Sequence, residues 1–93
     1  MQKRYDDLLN TRLESVLDAG TVLILWTELY RWYETKKIAV NVYRDLNARW
    51  ADIKDAKGET ALGNLKGIEG SGGIWLFSDK NSFSVKERAT KDE

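Results

Sequence analysis

The sequence predicts an α+β fold, three helices followed by a C-terminal β-hairpin, and three observations carry that expectation. Proline is absent, apolar residues recur at helical spacing through the first half, and six of the seven glycines fall between Gly58 and Gly73. A helix-permissive first half therefore gives way to a turn-rich second half. Apolar residues continue on both sides of the glycine region, which makes it a change of architecture within one domain. At 93 residues the chain suffices for a single core. The expected domain spans 1–86, with a charged, disordered tail at 87–93.

The first helix is expected from Tyr5 to Asp18, where Tyr5, Leu8, Leu9, Leu13, Val16 and Leu17 recur at helical spacing. Asp6 and Asp7 suit the helix dipole, and Gly20 supplies the stop. Thr21 is placed to cap a second helix running to about Thr35 with Val22, Leu25, Trp26, Leu29, Trp32 and Tyr33 on one broad face. Its opening run, Val22-Leu23-Ile24-Leu25, alternatively reads as a short strand, because a brief apolar run is ambiguous by periodicity alone. A third helix is expected from Val40 or Asn41 to about Lys54, with a seam of Ala39, Tyr43, Leu46, Trp50 and Ile53. Strands are expected near Leu65–Ile68 and Ile74–Ser78, joined by a flexible glycine-rich tip, with a third near Ser82–Lys86.

Composition removes several function classes. Cysteine and histidine are absent, and with them disulfides, thiolate nucleophiles, imidazole bases and the common zinc constellations. The paired carboxylates Asp6-Asp7, Asp52 with Asp55, and Asp92-Glu93 sit beside no apolar pocket that would raise a pKa for general acid work. The Gly67–Gly73 cluster lacks the Lys-Ser/Thr ending of a phosphate-binding loop. The expectation is a protein that is not an enzyme, with no cofactor, no metal and no small-molecule substrate. No apolar segment is long enough for a membrane span, and the N-terminus carries no signal-like apolar run, so a cytoplasmic location is expected.

Net charge is formally zero, from 15 basic and 15 acidic side chains, which argues against binding polyanions by bulk charge. Distribution says more: residues 36–57 carry six basic and three acidic groups, and they alone form a positive segment. Three helices and a hairpin, with a short turn between the second and third helices, is the order of a winged helix-turn-helix domain. There the third helix enters the major groove, and cations and the wing grip phosphates. Asn41, Arg44, Asn47 and Arg49 are the candidates for base contact: arginine suits guanine O6 and N7, and asparagine suits adenine N6 and N7. Lys36, Lys37, Lys54 and Lys66 are the candidates for phosphate contact. Asp45 beside Arg44 opposes phosphate and calls for modest affinity, which leaves room for a homodimer or a protein partner to add contacts. Most aromatic residues fall on the apolar seams and are expected in the core. Tyr30 and Trp32 flank their seam and are the candidates for a protein contact.

The run Glu28-Leu29-Tyr30-Arg31-Trp32-Tyr33, a helix with Leu46 and Trp50, then Leu65-Lys66-Gly67-Ile68 and Gly73-Ile74-Trp75-Leu76, resembles the C-terminal winged-helix domains of phage and plasmid primase-helicases. The resemblance covers about Leu25 to Phe77 and implies a DNA-replication or transcription-regulatory role in a mobile element. The sequence departs from that pattern in having only Lys66 as a basic residue within the hairpin and Glu69 near its tip. Two expectations follow: a module that binds double-stranded DNA, or a protein-interaction module of the same fold, such as a small phage-type inhibitor or assembly adaptor.

Overall fold

A computed structural model describes residues 1–58 and 62–90. Among these the elements run α1 (Lys3–Ala19), β1 (Thr21–Leu25), α2 (Trp26–Trp32), α3 (Val40–Lys57), β2 (Leu65–Glu69), β3 (Gly73–Ser78), a 3-10 turn (Asp79–Asn81) and α4 (Val85–Thr90). The three strands form one antiparallel sheet in the order β1-β3-β2. The architecture is α+β, four helices and a small three-stranded sheet among the described residues, and it is compatible with a winged-helix-like arrangement.

Gly20 ends α1 in the left-handed conformation, φ 87°, and its N–H caps the Val16 carbonyl. The chain then turns directly into β1. The ambiguous Val22–Leu25 run is thus a strand, and the second helix begins only at Trp26, not at Thr21. Tertiary pairing decides this: Thr21, Leu23 and Leu25 lie opposite Phe77, Trp75 and Gly73 of β3. Thr21 does not cap a helix; its hydroxyl donates to the Leu76 carbonyl across the sheet, 2.9 Å. The start of α2 is closed instead by Glu28, whose Oε1 accepts from the Leu25 N–H at 3.0 Å.

The core is built by α1 residues Leu9, Leu13 and Val16, by Ile24, Leu29 and Trp32, by Val42, Leu46 and Trp50 of α3, and by Ile74 and Leu76 of β3. The seam of α3 is therefore Val42-Leu46-Trp50. Ala39, expected on that seam, is exposed and forms the N-cap, while Tyr43 and Ile53 are half-buried at its sides. Rotating α3 this way buries a branched aliphatic residue and leaves the Tyr43 hydroxyl where it meets a polar partner. Trp50 is 1 % exposed, and its indole N–H donates to the Gly63 carbonyl at 3.1 Å. Among the described residues, no buried side-chain nitrogen or oxygen lacks a hydrogen-bond partner.

The hairpin is fastened at its tip. The Trp26 indole donates to the Gly70 carbonyl at 2.8 Å, and the Trp26 backbone N–H donates to the Gly72 carbonyl at 3.2 Å. The glycine-rich tip expected to be flexible is thus tied to the β1–α2 junction. Gly73 is required there by close approach, since a Cβ at this position would lie 2.5 Å from the Ile24 carbonyl oxygen and 2.9 Å from Leu25 Cα.

The third strand expected at Ser82–Lys86 is not formed. Ser82–Ser84 is loop and Val85–Thr90 is the short helix α4, so the expected tail begins inside a helix; residues 91–93 lie outside the described residues. Ser84 Oγ accepts from the Glu87 N–H at 3.3 Å, a helix start in the S-x-x-E pattern. The alternating Phe83 and Val85 imitate a strand only in sequence.

Gly73→Ala is expected to lower stability by about 1–3 kcal/mol, because backbone cannot yield as a side chain can. A urea denaturation midpoint that stays at the wild-type value would contradict this close packing of β1 on β3.

Candidate nucleic-acid interface

The turn between α2 and α3, Tyr33–Ala39, sets out the first candidates. Glu34 takes a left-handed φ of 53° as the chain leaves α2. Thr35 then holds Lys37 through its hydroxyl, which accepts from the Lys37 N–H at 3.3 Å and donates to the Lys37 carbonyl at 3.0 Å. Lys36 and Lys37 are exposed in front of the N-terminal end of α3, whose first turn carries no acidic residue. Two cations and the positive end of the helix dipole thus lie on the same side.

Asn41, Arg44 and Asn47 are all exposed on α3, and Arg44 makes no ion pair among the described residues. A groove of about 430 Å³ joins Lys37 and Asn41 with Tyr33 and Asp45. A second groove, about 560 Å³, lies between α3 and the hairpin and brings Asn47 together with Lys66. Across it the Tyr43 hydroxyl donates to the Glu69 carboxylate of β2. Burial, then the adjoining Glu69 carboxylate, pushes the Tyr43 phenol up to about 12. This contact fixes the hairpin against α3.

Three candidates are otherwise engaged. Arg49 borders a groove, but its donors are taken up within the fold. Its guanidinium donates to Asp45 Oδ2 at 2.7 Å, Asp6 Oδ1 at 2.6 Å and Asn10 Oδ1 at 2.8 Å, which leaves the side chain 16 % exposed. It joins α3 to α1 as a structural clamp. Lys54 is half-buried and donates to the Gly63 carbonyl at 3.2 Å, beside the Trp50 indole on the same acceptor. Trp32, expected as a protein contact, is 3 % exposed in the core, with the Arg12 guanidinium 5.4 Å from its ring centre. A helix starting at Trp26 turns Leu29 and Trp32 inward together, one helical step apart. Tyr30, at 39 % exposure, is on the surface as expected.

Asp45 is not a bare charge beside Arg44. It accepts from Arg49 and from the Tyr33 hydroxyl at 2.6 Å. Burial alone would raise its pKa, but the hydrogen bonds from Arg49 and Tyr33 outweigh it and hold the carboxyl below its ordinary value. Burial and the Asp45 carboxylate in turn raise the Tyr33 phenol. Elsewhere, a bidentate pair from Arg12 to Glu28, 2.9 and 2.6 Å, chiefly lowers the Glu28 pKa against the opposing effect of burial.

A further groove of about 590 Å³ runs between α1 and α3 and is lined by Asp6, Glu14, Asp45 and Asp52 with Arg49 and Lys57. Its excess of carboxylates repels phosphate, so the anion-compatible surface of α3 is confined to its N-terminal half and the side towards the hairpin.

Comparison of the chain with family models, with curated proteins and with solved structures gives no match.

Sequence reasoning missed the Arg49 clamp, although Asp45 and Arg49 stand at the i, i+4 spacing that pairs on a helix. It also missed the Tyr43–Glu69 bridge, for which spacing offers no signal. Arg49→Ala is expected to cost about 2 kcal/mol, since it strips charged hydrogen bonds from three acceptors; chemical denaturation measures it, and a change under 0.5 kcal/mol would deny the clamp its role.

Asp45 and Glu28 both have lowered folded-state values, so their contributions are present above the ordinary carboxylate range, about 4, and are lost as pH falls through the lower folded values. Unfolding free energy should therefore decline on acidification below about pH 4, and Asp45→Asn should flatten that decline in a pH series of thermal melts.

Proposed function

We propose that this chain is a DNA-binding module of winged-helix type, in which the N-terminal half of α3 reads bases in the major groove. The observation that carries the reading is the joint placement of Asn41, Arg44 and Asn47 on one exposed stretch of α3, with Lys36 and Lys37 ahead of it and Lys66 on the facing hairpin. The element order helix, strand, helix, helix, hairpin supports it. So does the pairing of Asp45, which leaves a charged neighbour of Arg44 already compensated by Arg49.

On this reading Arg44 is the base-reading cation, Asn41 and Asn47 supply amide contacts to base edges, and Lys36, Lys37 and Lys66 touch phosphates. Arg49 and Lys54 support the helix and leave the DNA to its neighbours. A role in transcription regulation or replication of a mobile element rests on the sequence resemblance and on nothing in the site itself.

The second reading is a protein-interaction module of the same fold. The formal net charge of zero and the exposed Tyr30 favour it. Salt separates the two, because phosphate contacts release counterions and an aromatic interface does not.

Fluorescence anisotropy with labelled double-stranded DNA, at low and at physiological salt, is the test. Binding is expected to weaken steeply with salt. Arg44→Ala is expected to cost about 1–3 kcal/mol of affinity while moving folding stability by less than about 0.5 kcal/mol. No binding at low salt, or wild-type affinity in Arg44→Ala, would overturn the assignment.

A further inference from the structure

The outer face of the sheet carries aromatic rings and cations. In β3, Ile74, Leu76 and Ser78 are buried, so Trp75 and Phe77 belong to the opposite face. Register sets Leu23 and Ile68 beside Trp75, and Thr21 and Lys66 beside Phe77. Trp75 is 47 % and Phe83 58 % exposed. Trp75, Phe77 and Phe83 line one groove of about 540 Å³, with Ile68, Asn81 and Ser82 beside them, and none of the residues lining it is acidic.

The charge around this groove is positive. Lys66 is exposed on the edge strand β2, in register with Phe77, between this face and the groove it shares with α3. The segment that supplies Phe83 adds Lys80, Lys86 and Arg88 against Glu87. Among the described residues none of these four cations forms an ion pair, whereas Arg12 and Arg49 do. The Arg88 guanidinium stands 4.1 Å from the centre of the Phe83 ring, which holds a cation beside the groove. Carboxylates near in sequence are engaged elsewhere. Asp79 accepts from the Asn64 N–H at 2.9 Å, Glu69 from the Tyr43 hydroxyl, and Glu14 and Asp18 line other grooves.

Exposed rings bordered by unpaired cations fit a ligand with flat apolar faces and regularly repeated negative charge, the chemistry of a single-stranded nucleic acid. A duplex does not serve, because its base faces are already stacked on one another. Trp75 and Phe77 are two residues apart on one strand, about 7 Å, twice the roughly 3.4 Å spacing of nucleotides in a stacked strand. Rings so placed receive the splayed bases of an extended strand, one to each ring. A bilayer surface calls for side chains that project, whereas Trp75 and Phe77 line a concave groove and Phe77 is half-buried.

We propose that the outer sheet face binds single-stranded nucleic acid, with bases stacked on Trp75, Phe77 and Phe83 and phosphates met by Lys66, Lys80, Lys86 and Arg88. This face is opposite the one that Tyr43 of α3 meets, so the site stands whether or not α3 binds duplex DNA.

Anisotropy of a short labelled oligothymidylate, which forms no duplex, titrated with the full chain at low and at physiological salt is the test. Binding is expected to weaken as salt rises and to quench tryptophan emission; Trp32 and Trp50 are buried, and Trp75→Leu should remove the quench. Trp75→Leu and Phe83→Leu should each weaken binding about tenfold, with far-UV circular dichroism unchanged. Phe83 lies outside the core, so Phe83→Leu keeps the test decisive even where Trp75→Leu impairs folding. Lys86→Glu combined with Arg88→Glu should weaken binding and lessen its salt dependence. No binding at low salt, or wild-type affinity in a folded ring variant, overturns the proposal. Binding lost in Arg44→Ala but kept in Trp75→Leu would move the strand to α3 and overturn it as well. So would cosedimentation with vesicles of phosphatidylcholine and phosphatidylserine in the absence of oligothymidylate binding, which would make this face a lipid contact.

Discussion

The antiparallel pairing of β1 with β3 is the constraint on which the remaining structure depends. It brings a five-residue strand from near the start of the chain against the central strand of the sheet. Through it Ile24, Ile74 and Leu76 become one layer under α1 and α3. The pairing tolerates no side chain at Gly73, because the Ile24 carbonyl occupies that space. It also places Trp26, the next residue after β1, where its indole and backbone N–H hold the hairpin tip. The position of the hairpin beside α3 follows from these contacts together with the Tyr43–Glu69 bridge.

On this frame, charged residues divide into two populations with different work. Arg12, Arg49 and Lys54 point towards partners in the fold: Arg12 binds Glu28, Arg49 joins α1 to α3, and Lys54 shares the Gly63 carbonyl with Trp50. Lys36, Lys37, Arg44 and Lys66 are exposed. The positive balance of residues 36–57 therefore overstates the cationic surface, since part of it is consumed inside the structure. Lys57 lies at the far end of α3 beside the acidic groove between α1 and α3, while Lys36, Lys37 and Arg44 gather at its start.

The sequence makes α1, α3 and the hairpin legible because each carries many residues of one period, and a period survives small errors of phase. The element between Thr21 and Thr35 is harder, because a branched apolar run fits a strand or a helix and only the partner strand decides. That choice shifts the start of α2 and with it the face on which Trp32 falls. Residues 82–90 mislead in the opposite sense: two alternating apolar residues suggest a strand, while Ser84 three residues before Glu87 is the stronger local signal. Of the candidate site, the exposed group Asn41, Arg44 and Asn47 was readable from the helical wheel. The engagement of Arg49 was not, since Asp6 and Asn10 come from another helix.

The strand order also governs how the chain acquires its structure during synthesis. β1 leaves the ribosome before α2, α3 and β2, and its partner β3 only after them, so Ile24 and the helix faces must wait for Gly73–Ser78. Long-range strand pairing is slow because loop closure precedes its reward. A nascent chain halted before Gly73 would hold an unpaired strand edge and uncovered apolar surface, the features that recruit chaperones. Cooperative folding of this domain therefore waits for β3.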